Sequence, residues 1–210
     1  MNAATRLLTC LVAIASSAGC QKHVATCETN ESLREAASSE ARELFAADQR
    51  DRERRSISAD RDRARRLRIA GLMADHCLTT AADFRAAAMI FQHGEAPEHF
   101  FQAYLWARRA TEMGDAFAKQ LVALTIDRYL VSIGHKQLFG SQMRPVEGEP
   151  GCLCVADTES DFPDALRKEY LQTTFAEELT TALQDSAAKC GGPCAGSLIP
   201  NPKGSVPGLW

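Results

Sequence analysis

Three glycines spaced evenly along the middle of the chain place the strongest constraint on its fold. Gly94, Gly114 and Gly134 lie twenty residues apart, and each follows a stretch with helical periodicity. Glycine is strongly favoured just after the end of a helix, while Pro97 and Asp115 suit the start of the next one. Each interval has room for one helix and a tight turn. The pattern therefore predicts helices that pack antiparallel to their neighbours.

The sequence before these glycines predicts three more helix starts. An apolar stripe that begins near Ser32 runs into charged residues on the same helix face, and a second helix covers residues 60–76. Thr80 and Asp83 have the spacing of a capping box at the start of a third helix. Acids precede arginines by four residues, the favourable order for helical ion pairs, at Asp48/Arg52, Asp51/Arg55 and Asp62/Arg66.

Few segments alternate in the manner of strands, so the predicted fold class is all-α. We expect an antiparallel helical bundle of about five to six helices with a Cys-containing C-terminal extension. The expected divisions are a signal peptide (1–19), a tether (20–31), a helical domain (32–142), a loop plus C-terminal helix (143–189) and a Gly/Pro-rich tail (190–210). Within the fourth division, the amphipathic pattern predicts one helix over 163–189.

The first twenty residues have the layout of an export signal: a basic start, a short apolar run and small residues before a cysteine. Ala18-Gly19-Cys20 resembles a bacterial lipobox, although Ser17 stands where lipoboxes usually carry Leu, Val or Ile. Ordinary cleavage after Ala18 is the competing interpretation. We expect lipidation of Cys20 and a periplasm-facing protein anchored to the bacterial cell envelope, or a secreted protein if Cys20 is not modified.

Cysteine usage favours an oxidising compartment. Cys10 belongs to the leader and Cys20 is the candidate for lipidation, which leaves an even number. Four thiolates near the C-terminus could also hold a metal, but disulfides are favoured outside the cytoplasm. Cys152 and Cys154 are too close to pair comfortably with each other, so bonds to Cys190 and Cys194 would leave Cys27 with Cys77; the sequence does not choose among the pairings. The disulfide candidates are Cys27, Cys77, Cys152, Cys154, Cys190 and Cys194.

Charge and composition exclude some partners. The net charge of −3 gives no reason to expect nucleic-acid binding. No second apolar stretch is long enough to span a bilayer, so membrane attachment would depend on the lipid anchor. The sequence shows no metal or cofactor motif, and we expect neither.

One short segment resembles a tetratricopeptide-type helix pair. Residues 100–122 contain an aromatic-rich helix followed by Gly-Asp-Ala, which is typical of the turn in such pairs. Only one unit is visible, whereas a stable solenoid needs about three. A local hairpin within a bundle explains the segment equally well.

A longer resemblance covers residues 44–142. The motifs are Asp48-Gln49, an Asp/Arg-rich helix at 60–66, Gln92-His93-Gly94, Asp127-Arg128, Gln137 and Gly140-Ser141-Gln142. Together they resemble a bacterial family of unknown function found in exported and cytoplasmic proteins. Ser141 replaces the threonine of that family and keeps the hydroxyl. The resemblance implies an architecture but no activity.

These polar residues form the candidate binding cluster, and each has a structural alternative. Asp127 and Arg128 lie in an apolar helix, so they must be paired or face a cavity; a buried ion pair, joined to the Asp48/Arg52 region, is the alternative to a site. A histidine in the last turn of a helix can favour the carbonyl end of the dipole, and amides on a turn can simply hold it. The candidates are Gln92, His93, Asp127, Arg128, Gln137 and Gln142.

Two functions fit this cluster. The favoured interpretation is a non-enzymatic envelope module that displays a groove for an envelope protein or cell-wall partner. The alternative is a small-molecule-binding or hydrolytic domain that uses the Gln-His, Asp-Arg and Gln residues. No nucleophile with an obvious partner appears, so the sequence alone does not indicate an enzyme. Convergence of His93, Asp127 and Gln142 on an open pocket would favour the alternative.

Overall fold

The structure, a computed structural model, describes residues 25–146, 148–149, 152–174, 176–177, 180–181, 184 and 198–199. These residues are predominantly helical, which confirms the all-α prediction. In chain order the elements are α1 (Glu31–Glu53), α2 (Ala59–Ala74), α3 (Ala81–Gln92), α4 (Pro97–Glu112), α5 (Ala116–Ser132), β1 (Met143–Pro145), β2 (Leu153–Val155), β3 (Thr158–Glu159), α6 (Asp164–Leu171) and β4 (Leu198–Ile199).

Side-chain caps define where the helices begin. The Asn30 side chain accepts a hydrogen bond from the Leu33 amide at the start of α1, and Asp115 caps α5 in the same way. Thr80 and Asp83 form the expected reciprocal capping box at the start of α3. Pro97 occupies the first turn of α4. The helix starts predicted at these positions are confirmed.

The three evenly spaced glycines end three helices for two different reasons. Gly114 and Gly134 have positive φ, the left-handed conformation that favours glycine after a helix. Gly94 does not; a Cβ added there would lie 2.4 Å from the Cβ of His99. Gly94 is thus needed for close approach between the end of α3 and the first turn of α4.

Helices α3, α4 and α5 pack in chain order, and α1 lies against α3. The close helix packing depends on alanine. Ala87, Ala88, Ala103, Ala107 and Ala123 are all fully buried, and their small side chains let the helix backbones approach. Larger side chains form separate clusters, one around Ile69, Leu72 and Ile90 and another around Ile126, Leu130, Leu138, Phe139 and Phe162.

A disulfide joins Cys27 to Cys77, with 4.9 Å between the Cα atoms, and confirms that pairing. The bond fastens the segment before α1 to the segment after α2. Cys152 and Cys154 are also disulfide-bonded, while their expected partners, Cys190 and Cys194, lie outside the described residues. Cys20 and the signal peptide lie outside them as well. Among the helices that the structure describes, none has the length and apolar character needed to cross a bilayer.

The chain after α5 differs from the prediction. Strands β1 and β2 form an antiparallel pair, and β3 pairs in parallel with β4, where a loop and tail were expected. The single helix predicted over 163–189 is wrong: α6 ends at Leu171, because Gln172 adopts a left-handed φ of 64°. Helical geometry resumes at 176–177. Thr174 and Glu177 exchange capping hydrogen bonds that begin this new helical segment.

Candidate functional site

Asp127 is a structural residue that holds the turn after α5. Its fully buried carboxylate accepts hydrogen bonds from the amides of Leu138 (2.8 Å), Phe139 (3.0 Å) and Ser141 (2.9 Å), and from the Ser141 hydroxyl (2.9 Å). Burial raises the pKa of Asp127, and the hydrogen bonds to its carboxylate act in the opposite direction. The buried ion pair expected between Asp127 and Arg128 does not form, because every bond of Asp127 goes to the turn.

Gln137 is likewise structural. Its buried side chain donates to the carbonyls of Gln142 (3.0 Å) and Ala156 (2.9 Å), and accepts from the Gln142 amide (2.7 Å). The amide therefore ties the turn after α5 to the segment that follows β2. Of the six candidate residues, Asp127 and Gln137 point into this closed region and cannot reach a ligand.

The side chain of Arg128 points away from the turn that Asp127 holds and contacts Gln142 and Gln92. Its Nε donates to Oε1 of Gln142 (3.0 Å), and its Nη1 donates to the carbonyl of Gln92 (2.7 Å). Gln142 is held in turn by its bond to the Leu124 carbonyl. Among the described residues, no carboxylate forms an ion pair with this half-buried guanidinium. Burial lowers the pKa of Arg128, and the positive charge of Arg52 lowers it further.

His93 contacts a buried carboxylate from α1. Its Nδ1 lies 2.9 and 3.1 Å from the two carboxylate oxygens of Asp48, which is 1% exposed. Gln49 also donates to Asp48 (2.8 Å). His93 was predicted to interact with the carbonyl end of its helix. Its ring instead pairs with Asp48, and its own backbone carbonyl accepts a hydrogen bond from Arg66 (3.0 Å).

Around this pair, four arginines and four acids from α1, α2 and the turn after α3 form a network, to which the Arg66–Glu95 ion pair is joined through His93. The expected Asp48–Arg52 pair is present at 3.4 Å. The expected Asp51–Arg55 and Asp62–Arg66 pairs do not form: Asp51 contacts arginines of α2, while Asp62 contacts Arg52 of α1 and Arg65 of its own helix. The contacts are Arg52–Asp62 (2.6 Å), Arg61–Asp51 (3.0 Å), Arg65–Asp51, Arg65–Asp62 (3.1 Å) and Arg66–Glu95 (2.8 Å).

The network leaves one positive charge without a counter-charge. The arginines of the network (Arg52, Arg61, Arg65 and Arg66) match its acids (Asp48, Asp51, Asp62 and Glu95) in number. Arg128 is an additional guanidinium next to Arg52. With a neutral His93, the region therefore carries an excess charge of about +1.

His93, Arg52 and Arg128 line the same open depression, which has a volume of about 390 Å³. We call it the His93–Arg128 depression; its other lining residues are Ile57, Ala59, Asp62, Gly94 and Glu95. Its volume is in the range of small-molecule sites. Beside it, Nε of Arg52 and Oε1 of Gln92 are buried and lack hydrogen-bond partners.

Three nitrogen atoms of these lining residues remain available. The Nη2 of Arg128, the Nη1 of Arg52 and the Nε2 of His93 make no hydrogen bond with a described residue, and none of them is buried. Both arginines are held by other contacts, so little side-chain freedom remains to be lost when a ligand binds.

The candidate residues thus divide into two groups. Arg128 and His93 reach the depression, and Gln92 and Gln142 orient Arg128, whereas Asp127 and Gln137 organise the chain after α5. The list of candidates omitted Asp48 and Arg52. Both could have been found from the sequence, because they stand on the face of α1 where the apolar stripe gives way to charged residues.

Comparison with protein-family models, curated proteins and solved structures finds no match to this chain.

Proposed function

We propose that this protein is an exported helical module of the bacterial cell envelope that binds a small anionic ligand in the His93–Arg128 depression. The observation that carries the proposal is Arg128: a half-buried guanidinium that has no carboxylate partner among the described residues and lines an open depression. A desolvated charge is costly unless a counter-charge compensates it. Neutral carbonyl and amide groups compensate Arg128 only in part, and an anionic ligand would complete its environment.

The charge of the surrounding network supports an anion rather than a cation. The paired arginines and acids balance, so the charge of Arg128 is the excess that a ligand would meet. Guanidinium groups bind carboxylate and phosphate oxygens with directional, charge-assisted hydrogen bonds. The free donors of Arg52 and Arg128 are suited to such oxygens.

The proposed address rests on the N-terminal export signal and on the cysteines. A disulfide between Cys27 and Cys77 is the kind of bond that persists in an oxidising compartment. We propose that Cys20 carries the lipid that attaches the protein to a membrane, and that the ligand is an anionic group of an envelope or cell-wall component. Mass spectrometry of the mature N-terminus tests this address, because cleavage after Ala18 would give an unacylated Gly19 start and remove the anchor.

Binding is tested by calorimetric titration of the purified protein with dimethyl phosphate, inorganic phosphate and acetate as probes. We expect Arg128→Met to weaken binding of the preferred probe about tenfold or more, because a charge-assisted contact is lost. Arg109→Met is the matched control: Arg109 is an exposed arginine of α4 with only a 3.9 Å contact to Glu112. An Arg128→Met protein that binds like the wild type would contradict the proposal, as would equal losses in both variants.

A further inference from the structure

The pairing of Asp48 with His93 suggests more than binding. We infer that the His93–Arg128 depression hydrolyses phosphodiesters, with His93 Nε2 accepting a proton from the attacking water. This inference rests on the proposed function, because it requires that the depression first binds the anionic diester. It adds a reaction, a substrate class and a role for each of three residues.

The geometry fixes which ring nitrogen of His93 carries the proton when the imidazole is neutral. Nδ1 of His93 lies within hydrogen-bond distance of both oxygens of Asp48. Arg52 and Gln49 also donate to this carboxylate, which keeps it an acceptor. Nδ1 must therefore carry the proton and donate it to Asp48. When the ring is neutral, the lone pair lies on Nε2, which is not buried and makes no hydrogen bond with a described residue.

This arrangement is the one that general-base catalysis needs. A buried carboxylate holds the histidine tautomer and stabilises the imidazolium that forms when Nε2 takes a proton. Asp48 is buried and anchored by α1, so it acts as a positioning residue, while His93 is the catalytic residue.

The arginines select the substrate class. A phosphodiester carries one negative charge, which matches the single excess positive charge of the region. Its two non-bridging oxygens can accept from Nη2 of Arg128 and Nη1 of Arg52. Charge on these oxygens is stabilised by fixed guanidiniums throughout the displacement.

The reaction balances without another reactant. The oxygen of water forms a bond to phosphorus while one of its protons moves to Nε2 of His93. The bond between phosphorus and the ester oxygen opposite the attacking water breaks; that oxygen takes a proton from solvent, and the imidazolium then releases its proton to solvent. The products are a phosphomonoester and an alcohol, and His93 is again neutral.

Hydrolysis is tested with the full mature protein and bis(4-nitrophenyl) phosphate, by following release of 4-nitrophenolate. We expect His93→Asn and His93→Gln each to lower kcat about 100-fold or more, the usual effect of removing a general base. Binding of dimethyl phosphate should stay within roughly threefold of wild type, since the arginines remain. His76→Asn is the control: His76 is exposed and has a φ of 55°, which asparagine tolerates.

Asp48→Asn provides a readout that a purely structural role would not change. Loss of the carboxylate removes a charge that favours the imidazolium, so the acid limb of the kcat/KM profile should move to lower pH as kcat falls. The remaining charged groups that line the depression or bond to His93 are unchanged in this variant: Arg52 from α1, Asp62 and Arg66 from α2, Glu95 after α3, and Arg128 from α5.

The outcomes separate the two proposals. Turnover that is lost in both His93 variants, in proteins whose thermal melts match the wild type, supports hydrolysis. Absence of turnover by the wild type, or turnover at the wild-type rate in His93→Asn and His93→Gln, overturns it. If dimethyl phosphate still binds in that case, the binding function stands and only the reaction is lost; if it does not bind, both proposals fail.

Discussion

Asp127 and Arg128 are consecutive residues of α5, and their side chains serve opposite parts of the molecule. The carboxylate accepts only from the turn at 138–141, while the guanidinium donates to Gln92 and Gln142 beside the His93–Arg128 depression. Neighbours in a helix point about 100° apart, so one dipeptide can reach both regions. The pair therefore couples the folding of the C-terminal segment to the placement of a half-buried cation that makes no ion pair with a described residue.

Replacing Asp127 with Asn should destabilise the protein by about 2–4 kcal/mol. An amide cannot accept at both positions, so at least one buried N–H donor of the 138–141 turn loses its partner. Urea unfolding at neutral pH measures the change. Asp60→Asn, an exposed substitution in the first turn of α2, should cost much less. Equal effects of the two substitutions would show that the turn does not depend on the Asp127 carboxylate.

Removing the Cys27–Cys77 bond should lower the free energy of unfolding by about 4 kcal/mol, the value expected for a loop of this length. The double variant Cys27→Ser/Cys77→Ser isolates this bond from those of Cys152 and Cys154. Thermal and urea unfolding should show the loss without added reductant. A double variant as stable as the oxidised parent would refute the stabilising role.

Alanine substitutions at two glycines should act in opposite directions. Gly94→Ala brings a Cβ to 2.4 Å from His99 Cβ and should destabilise the protein by about 1–3 kcal/mol. Gly71 lies inside α2 with nothing within 4 Å of the added carbon, so Gly71→Ala should stabilise by about 0.5–1 kcal/mol. Thermal melts of the two variants compare them directly, and a destabilising Gly71→Ala would contradict the helix assignment.

The Glu40–Arg68 pair joins α1 to α2 and should give a small, pH-dependent stabilisation. The Arg68 hydrogen bond lowers the pKa of Glu40 below 4.5, so the contribution is present above the unfolded-state pKa and is lost as pH falls through the folded-state pKa. Glu40→Gln should cost at most about 1 kcal/mol at pH 7, because both side chains are largely exposed. The difference from wild type should disappear as pH falls through the folded-state pKa of Glu40, and it should shrink in high salt. A difference that persists at low pH would indicate lost packing instead.

The helical part of this fold follows from local signals. The helix ends at Thr80, Asp115, Gly114 and Gly134 follow local capping and backbone preferences and form as expected. The cap at Asn30 and the close approach that requires Gly94 were not predicted. The Cys27–Cys77 pair was one of several pairings left open by the sequence. Gln172 was not foreseen as a helix end, because glutamine has no preference for the left-handed conformation; the Thr174 and Glu177 spacing was the available signal.

The site was predicted only in part, because its partners are distant in the chain. The side chain of Arg65 or Arg66 can contact an acid of its own helix or one of a neighbouring element. The four-residue spacing of acids and arginines predicts only contacts within one helix. His93 meets Asp48 across 45 residues, a contact that depends on how α1 lies against α3. The same packing separates Asp127 and Gln137 from the depression. All six candidates are polar, so residue type alone does not distinguish these two from the others.

The bond between Cys27 and Cys77 also limits how far the domain can move from a membrane. If Cys20 carries a lipid, only six residues lie between it and Cys27, and a fully extended chain over those seven residue steps reaches about 25 Å. The disulfide fixes Cys27 to the folded domain, so the tether between lipid and domain ends at Cys27. The end of α2, which Cys77 follows, would then stay within roughly the thickness of one bilayer of the lipid surface.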